Sequence, residues 1–383
     1  MHKKIVIHQL SLVGIGGVQQ SFVPYFKMAL QKSEFDHQIY GTYPLDDYFK
    51  EIGCYYKNIS SSVFNKLKFI YFLYSKDYIV HFYNNIGSHS LHRILNSLPL
   101  SNIILHERGV AWNLKDEDIR VYRDNANKAN LLLANSNASK TMMIERFGVD
   151  ASKIHVLYNG FLSGDMILNN NAFATNDSNK FKVGYIGRLD TPKGVHTFIE
   201  VAKKLPQYEF FIAGNGPWEL LLKEMAGKRD NIFFVGRVKN PLDFINSMDL
   251  IIVPSIREPL GNTIIEAGFC KKPVIASCID GILEIIDNGI SGVLIEPKKE
   301  ISIRQIPINS VPMPEYVVNP KTKKLQQPKE IESDELANHI INLEQDYALR
   351  QKYGNALYDS VVDKFNIKKY FSELEKIYKN INS

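Results

Sequence analysis

Short apolar runs alternate with stretches of helical period along nearly the whole chain. In the first half the runs are KIVIHQL (4–10), HQIYGTY (37–43), YIVHFYN (78–84), NIILHE (102–107), LLLANS (131–136) and KIHVLYN (153–159). Between them, GVQQSFVPYFKMALQK and ASKTMMIERFG place apolar residues at helical spacing. Continuous apolar strands separated by amphipathic helices are the signature of parallel sheets covered by helices. The rhythm lapses in SGDMILNNNAFATNDSNK, where Asn, Ser and Asp dominate, so a linker is expected over 164–180. It resumes with FKVGYIGRL (181–189), EFFIAGN (209–215), NIFFVGRV (231–238), DLIIVPS (249–255), PVIAS (273–277) and GVLIEP (292–297).

The pattern predicts an α/β protein of two doubly wound, Rossmann-like domains facing each other across a cleft. Their expected bounds are 1–163 and 181–367, with a last helix over 368–383 packing back on the first domain. Residues 298–333, rich in Pro and Lys, are too long for an ordinary connection. Two readings are open for them: a partly ordered flap over the cleft, or a mobile surface insertion. In such folds ligands bind beyond the carboxyl ends of the strands, so the loops there are where chemistry is expected.

Composition narrows the picture modestly. A chain of 383 residues with 45% hydrophobic and 23% charged residues suits two ordinary globular cores. A net charge of +5 is too weak to argue for nucleic acid, though it suits an anionic ligand or membrane surface. Cys54, Cys270 and Cys278 have no metal-ligand spacing and cannot build a disulfide framework, which fits the cytosol. The N-terminal MHKKIVIHQLSLVG reads as a first buried strand, because His8 and Gln9 interrupt the apolar run of a signal peptide. No uncharged run is long enough to predict a membrane span.

Several loops carry candidate chemistry. Gly14, Gly16 and Gly17 lie between the first strand and its helix, where glycine lets a phosphate approach the backbone and the helix dipole; the spacing is not that of a dinucleotide fingerprint, which disfavours an NAD-dependent oxidoreductase. In GRLDTPKG (187–194), Gly187 is followed by Arg188 and Lys193 around a turn, and two cations after a strand can hold a diphosphate. The plain alternative is a solvated loop with ordinary surface charges. AGNGP (213–217) and VGRV (235–238) put glycine after the next strands, as turn geometry alone would also require.

In EPLGNTIIEAG (258–268), Glu258 precedes a proline and so sits in extended or turn backbone. Thr263 to Glu266 reads as T-x-x-E, a capping box that would occupy Glu266 locally. Two carboxylates at this loop could instead accept hydrogen bonds from two hydroxylated rings, such as those of a nucleotide sugar.

The ordered set GGVQ, ANSNASKTMMIERFGVDASKIHVLYNGF, GRLDTPKG, AGNGP, VGR and EPLGNTIIEAG resembles the retaining glycosyltransferases of GT-B fold with an E-x7-E motif. These include bacterial mannosyltransferases and lipopolysaccharide and capsule transferases. The resemblance implies that Arg188 and Lys193 bind the donor diphosphate, that Glu266 holds the ribose hydroxyls, and that Glu258 holds a hydroxyl of the transferred sugar beside the amides of Leu260, Gly261 and Asn262. It further implies that Gly16 and Gly17 touch the phosphates, that the base lies near Gly236, Arg237 and Val238, and that His106 faces the reacting sugar. Leu260 departs from the aromatic usual at its position, which bears on sugar preference.

By the same resemblance the enzyme retains anomeric configuration, with no metal and no cofactor. The expected donor is a UDP-sugar, ahead of a GDP-sugar, and the partner a glycan or lipid-linked acceptor in bacterial surface polysaccharide biosynthesis. The acidic run 116–118 is read as a helix start and not as a metal motif. Two other readings stay open: a sugar-nucleotide epimerase or hydrolase on this fold, and a non-catalytic nucleotide-sugar-binding partner of a transferase. SSVFNKLKFIYFLYSKDY (61–78) interleaves Lys66, Lys68 and Lys76 with aromatics, so it could rest on the anionic inner leaflet or pack on the sheet with snorkelling lysines. The expected location is therefore cytoplasmic, with peripheral attachment to the inner face of the plasma membrane.

Overall fold

The computed structural model describes residues 4–12, 17–52, 55–97, 102–162, 180–303 and 305–381. The chain divides into two compact units, 1–162 with 365–383 and 163–364. The expected linker, apart from Lys180, lies outside the described residues, as do Gly14, Gly16 and Cys54.

The first unit is built on a seven-stranded sheet of β1 (Ile5–Gln9), β2 (Asp36–Gly41), β3 (Tyr56–Asn58), β4 (Tyr78–Tyr83), β5 (Ile103–Glu107), β6 (Leu131–Ala134) and β7 (Ile154–Val156). All neighbours pair in parallel, in the order β3-β2-β1-β4-β5-β6-β7. Its helices are α1 (Gly17–Lys32), α2 (Val63–Tyr74), α3 (His89–Ser97), α4 (Ile119–Lys128) and α5 (Asn137–Glu145). The pattern foresaw every strand but β3, whose three residues are half-buried or exposed and show no apolar run.

The second unit repeats the plan with β8 (Lys182–Ile186), β9 (Glu209–Ala213), β10 (Ile232–Gly236), β11 (Leu250–Val253), β12 (Val274–Ser277) and β13 (Val293–Ile295). Their order, β10-β9-β8-β11-β12-β13, is parallel throughout. The helices are α6 (Val195–Lys204), α7 (Glu219–Ala226), α8 (Pro241–Asn246), α9 (Asn262–Phe269), α10 (Ser333–Gln345) and α11 (Tyr347–Val362). Helices cover both faces, so central strands such as β9 and β11 are buried at every residue and read as continuous apolar runs.

The last helix, α12 (Ile367–Ile381), belongs to the first unit, where Ile367, Tyr370, Leu374 and Tyr378 enter the core beside α1. Residues 298–333 are neither strand nor helix for most of their length, yet they fold onto the second unit. They carry an antiparallel hairpin, β14 (Val317–Asn319) and β15 (Lys324–Gln326), and are closed at the base by a bridge between Lys299 and Glu330. Sequence period missed the hairpin because three-residue strands are too short to show alternation.

Candidate functional site

In each sheet the strand order reverses between the first strand and the fourth, and such reversals open a crevice at the carboxyl edge. In the second unit the flanking loops follow β8 and β11, and they hold most of the residues singled out by sequence. After β8, Arg188 donates from Nε to Asp190 Oδ2 at 2.8 Å and also from Nη2. Asp190 Oδ1 accepts from Thr191 N at 2.8 Å, capping the turn Thr191–Lys193 that Pro192 stiffens. Gly194 then adopts φ +64, and a Cβ there would lie 2.0 Å from the Pro254 carbonyl oxygen. Glycine is what lets this loop lie against the one after β11.

The two loops are joined by charge. Lys193 Nζ donates to Glu258 Oε2 at 2.6 Å, and Ser255 Oγ donates to the same oxygen at 3.0 Å. Glu258 is 8% exposed and lies in the loop, as its proline predicts. Its N–H donates to Asp280 Oδ2 at 2.8 Å, and Gly281 N–H donates to its carbonyl oxygen at 3.1 Å. Arg188 is more open, with 58% of its side chain exposed and Nη1 without a partner among the described residues.

The capping box does not form. Gly261, at φ +111, is the residue before α9, and Thr263 falls inside the helix, where its hydroxyl donates to the Ile186 carbonyl at the end of β8. The Glu266 carboxylate consequently has no hydrogen bond or ion pair among the described residues. It is half-buried, and burial pushes its carboxyl up to about 7. Leu260 is buried beneath this loop, while Asn262 opens α9 and is half-buried.

The remaining residues of the set lie along the same edge. Gly187 N–H donates to the Ala213 carbonyl, and the Gly236 carbonyl accepts from Gly214 N–H at 2.8 Å. Gly236 ends β10 at φ +68, with Arg237 exposed and Val238 half-buried beyond it. Thus Gly187, Arg188, Lys193, Gly236, Arg237, Val238, Glu258, Leu260, Gly261, Asn262 and Glu266 all lie at the carboxyl edge of one sheet. Two cations and one uncommitted carboxylate at a strand-order reversal can hold a diphosphate and a vicinal diol together.

In the first unit, Gly17 opens α1, and Gly16 lies outside the described residues. His106, near the carboxyl end of β5, is fully buried. It meets His81 Nε2 through Nδ1 at 3.2 Å, and its Nε2 has no partner among the described residues. His81 Nδ1 reaches the Tyr378 hydroxyl at 2.8 Å. On the same face of the sheet, Ser33 Oγ donates to Glu375 Oε1, so it accepts from His37 Nε2. His37 Nδ1 meets His8 Nε2 at 2.9 Å, and His8 Nδ1 meets the Tyr83 hydroxyl at 3.2 Å. Burial first, and neighbouring His37, His81, His106 and Arg108 second, hold His8, His81 and His106 well below the usual imidazole range. All three are neutral at pH 7.

The acidic run 116–118 forms a short turn before α4 and is engaged by protein partners: Asp116 with Arg146 and Asp118 with His89 and Lys115 N–H. Sequence reasoning missed Asp190, Asp280 and Ser255. The first two had a legible turn signal, Asp-Thr-Pro and Asp-Gly, but only the fold shows what each carboxylate reaches. His8, His37 and His81 were also missed, because adjacency across strands depends on register.

Residues 169–306 match the family model described as glycosyl transferases group 1. A protein of Anabaena solved with UDP and glucose shares the fold at TM-score 0.71 and 20% identity, covering 99% of this chain and all of that one. Sucrose-phosphate synthase of Thermosynechococcus elongatus does so at TM-score 0.73 and 19% identity, over 98% of each chain. The fold is GT-B. Among curated relatives, an uncharacterised glycosyltransferase of Methanocaldococcus jannaschii is 25% identical over 54% of this chain and 58% of its own length. The capsular polysaccharide biosynthesis glycosyltransferase CapM of Staphylococcus aureus is 26% identical over 42% of this chain and 40% of its own. The alpha-D-kanosaminyltransferase of Streptomyces kanamyceticus is 32% identical over 30% and 32%. The chain thus spans about a third to three fifths of these three relatives. The second unit contains the whole of the family match.

Proposed function

We propose that this chain is a retaining glycosyltransferase that moves a sugar from a nucleoside diphosphate sugar to a glycan or lipid-linked acceptor. The observation that carries the reading is the arrangement at the second sheet's reversal, where Lys193 meets Glu258, Arg188 is held open on Asp190, and the Glu266 carboxylate is left uncommitted. A UDP-sugar is the first choice of donor, in keeping with the UDP complex of the Anabaena protein of like fold.

Glycosyl transfer builds positive charge at the anomeric carbon and negative charge on the departing diphosphate. Arg188 and Lys193 neutralise the latter, so no metal is needed at that step. Lys193 starts paired to Glu258, so donor binding divides the ammonium between carboxylate and phosphate and brings Glu258 beside the transferred sugar. Glu266 accepts hydrogen bonds from the ribose hydroxyls. The acceptor proton passes to the leaving phosphate oxygen on the same face, which retains configuration without a covalent enzyme intermediate. Transfer serves surface polysaccharide synthesis, and calorimetric titration with UDP, GDP and their sugars tests the donor. Failure of every nucleotide sugar to bind at millimolar concentration rejects the reading.

Helix α2 supports a cytoplasmic enzyme attached to the inner leaflet. Phe69, Phe72 and Leu73 are buried on the sheet, while Val63, Phe64, Leu67 and Tyr71 are exposed, Phe64 by 71%. Lysines 57, 66, 68 and 76 flank this apolar face, and no acidic residue lies between 55 and 76. Such a face suits an anionic lipid surface. Among the described residues no helix is long and apolar enough to cross a membrane.

A further inference from the structure

We propose that residues 299–330 are a positioning strap for the donor site, acting through the buried carboxylates of Asp190 and Asp280. The proposal rests on the transferase reading and deepens it. Each carboxylate divides its oxygens between a site residue and a backbone N–H of the strap. Asp190 holds Arg188 on Oδ2, and its Oδ1 accepts from Val311 N at 2.8 Å besides Thr191 N. Asp280 holds the Glu258 N–H on Oδ2, and its Oδ1 accepts from Val318 N at 2.7 Å. The strap returns the bond, with Asp280 N–H donating to the Val318 carbonyl at 3.0 Å.

A third buried carboxylate closes the loop. Glu330 takes His196 Nε2 at 2.7 Å, two residues past Gly194 on α6, together with Ser302 N and Oγ at 3.2 and 3.1 Å. Burial alone would raise the Glu330 carboxyl, but His196 and Ser302 outweigh it and hold it below the usual range. The strap therefore grips the loop after β8, the start of α6 and the loop after β11, which are the parts that set where Arg188, Lys193 and Glu258 stand.

Asp280 adopts φ +46, a left-handed conformation costly to a residue with a Cβ. Glycine would hold that backbone without strain, and the side chain that bonds both Glu258 and β14 gives a reason for aspartate. Asp280 acts through Glu258 and is a positioning residue. Its removal should leave the nucleotide's own contacts in place and disturb the transferred sugar.

The decisive experiment pairs kinetics with amide exchange in Asp280→Gly. UDP affinity should stay within about twofold, while kcat/KM for sugar transfer falls by roughly tenfold or more. The double variant with Glu258→Gln should be no slower than Glu258→Gln alone, because both act through one group. Exchange at the Glu258 amide should accelerate about tenfold, with β9 and α10 unchanged. Unchanged exchange at 256–262, or kinetic losses that multiply in the double variant, overturns the strap. Should Asp280→Gly fail to fold, Val311→Pro removes the N–H given to Asp190. It should loosen 187–194, and wild-type protection there overturns the proposal. If the unaltered protein binds no nucleotide sugar, the transferase reading fails while exchange still decides the strap.

Discussion

At the reversal of the second sheet, polar groups face water: Arg188 shows 58% of its side chain and Lys193 shows 29%, while Glu266 is half-buried. At the first sheet's reversal, His8, His81 and His106 are fully buried in a ladder of imidazoles and tyrosine hydroxyls. The two sheets share a winding and a strand order, yet one reversal keeps its charges accessible and the other keeps its titratable groups neutral. Topology offers a crevice, and burial decides whether the groups beside it can change charge or bind a ligand.

The sharpest way to break this contrast is at the exposed end. Lys193→Ala should lower kcat/KM for sugar transfer by about 10²–10³-fold, a loss typical of an electrostatic contact to a developing anion. Near-normal transfer would detach the second reversal from chemistry altogether.

Next comes acid sensitivity at the buried end. The folded state holds His8, His81 and His106 neutral, and the unfolded chain protonates them near pH 6.5. Below that pH the unfolded state binds more protons, so stability is full above about pH 7 and declines as pH falls. Each histidine contributes up to about 1.4 kcal/mol per pH unit, or roughly 4 kcal/mol per unit for the three together. Denaturant titrations at pH 7.5 and 5.5 measure this, and equal stability at both would mean that the ladder is not neutral as described.

Glu266 sharpens the comparison from the other side. Its carboxyl is raised to about 7, so the folded state binds the extra proton and the cost is absent below about pH 4.5 and complete above pH 7. Glu266→Gln should raise Tm by a few degrees at pH 8, leave it unchanged near pH 4.5, and weaken nucleotide binding. Scanning calorimetry at the two pH values checks the sign, and a lower Tm at pH 8 would mean that the carboxylate is satisfied within the fold. The smallest effect is expected on α2. Leu67→Glu should reduce sedimentation with anionic liposomes several-fold at low salt, with stability within about 0.5 kcal/mol of wild type, since the residue is 61% exposed.

Much was legible in the chain itself. Every long strand announced itself as an apolar run, because strands covered on both faces leave no polar positions to blur the pattern. The loop of Glu258 followed from Pro259, and the cations of GRLDTPKG from their place after a strand. The capping box misled, since T-x-x-E is a local signal and α9, capped by Gly261, begins at Asn262, two residues too early for Thr263 to cap it. That single shift leaves Glu266 uncommitted.

The sequence alone determined the two windings, the order of the elements and the candidate charges, because hydrophobic period and turn chemistry act over a few residues. Only the tertiary structure decided that Asp190 and Asp280 tie a remote segment to the site. It alone placed His8 beside His37, and His81 beside His106, out of water. Those outcomes depend on register and burial across tens to hundreds of residues, and no local pattern carries that information.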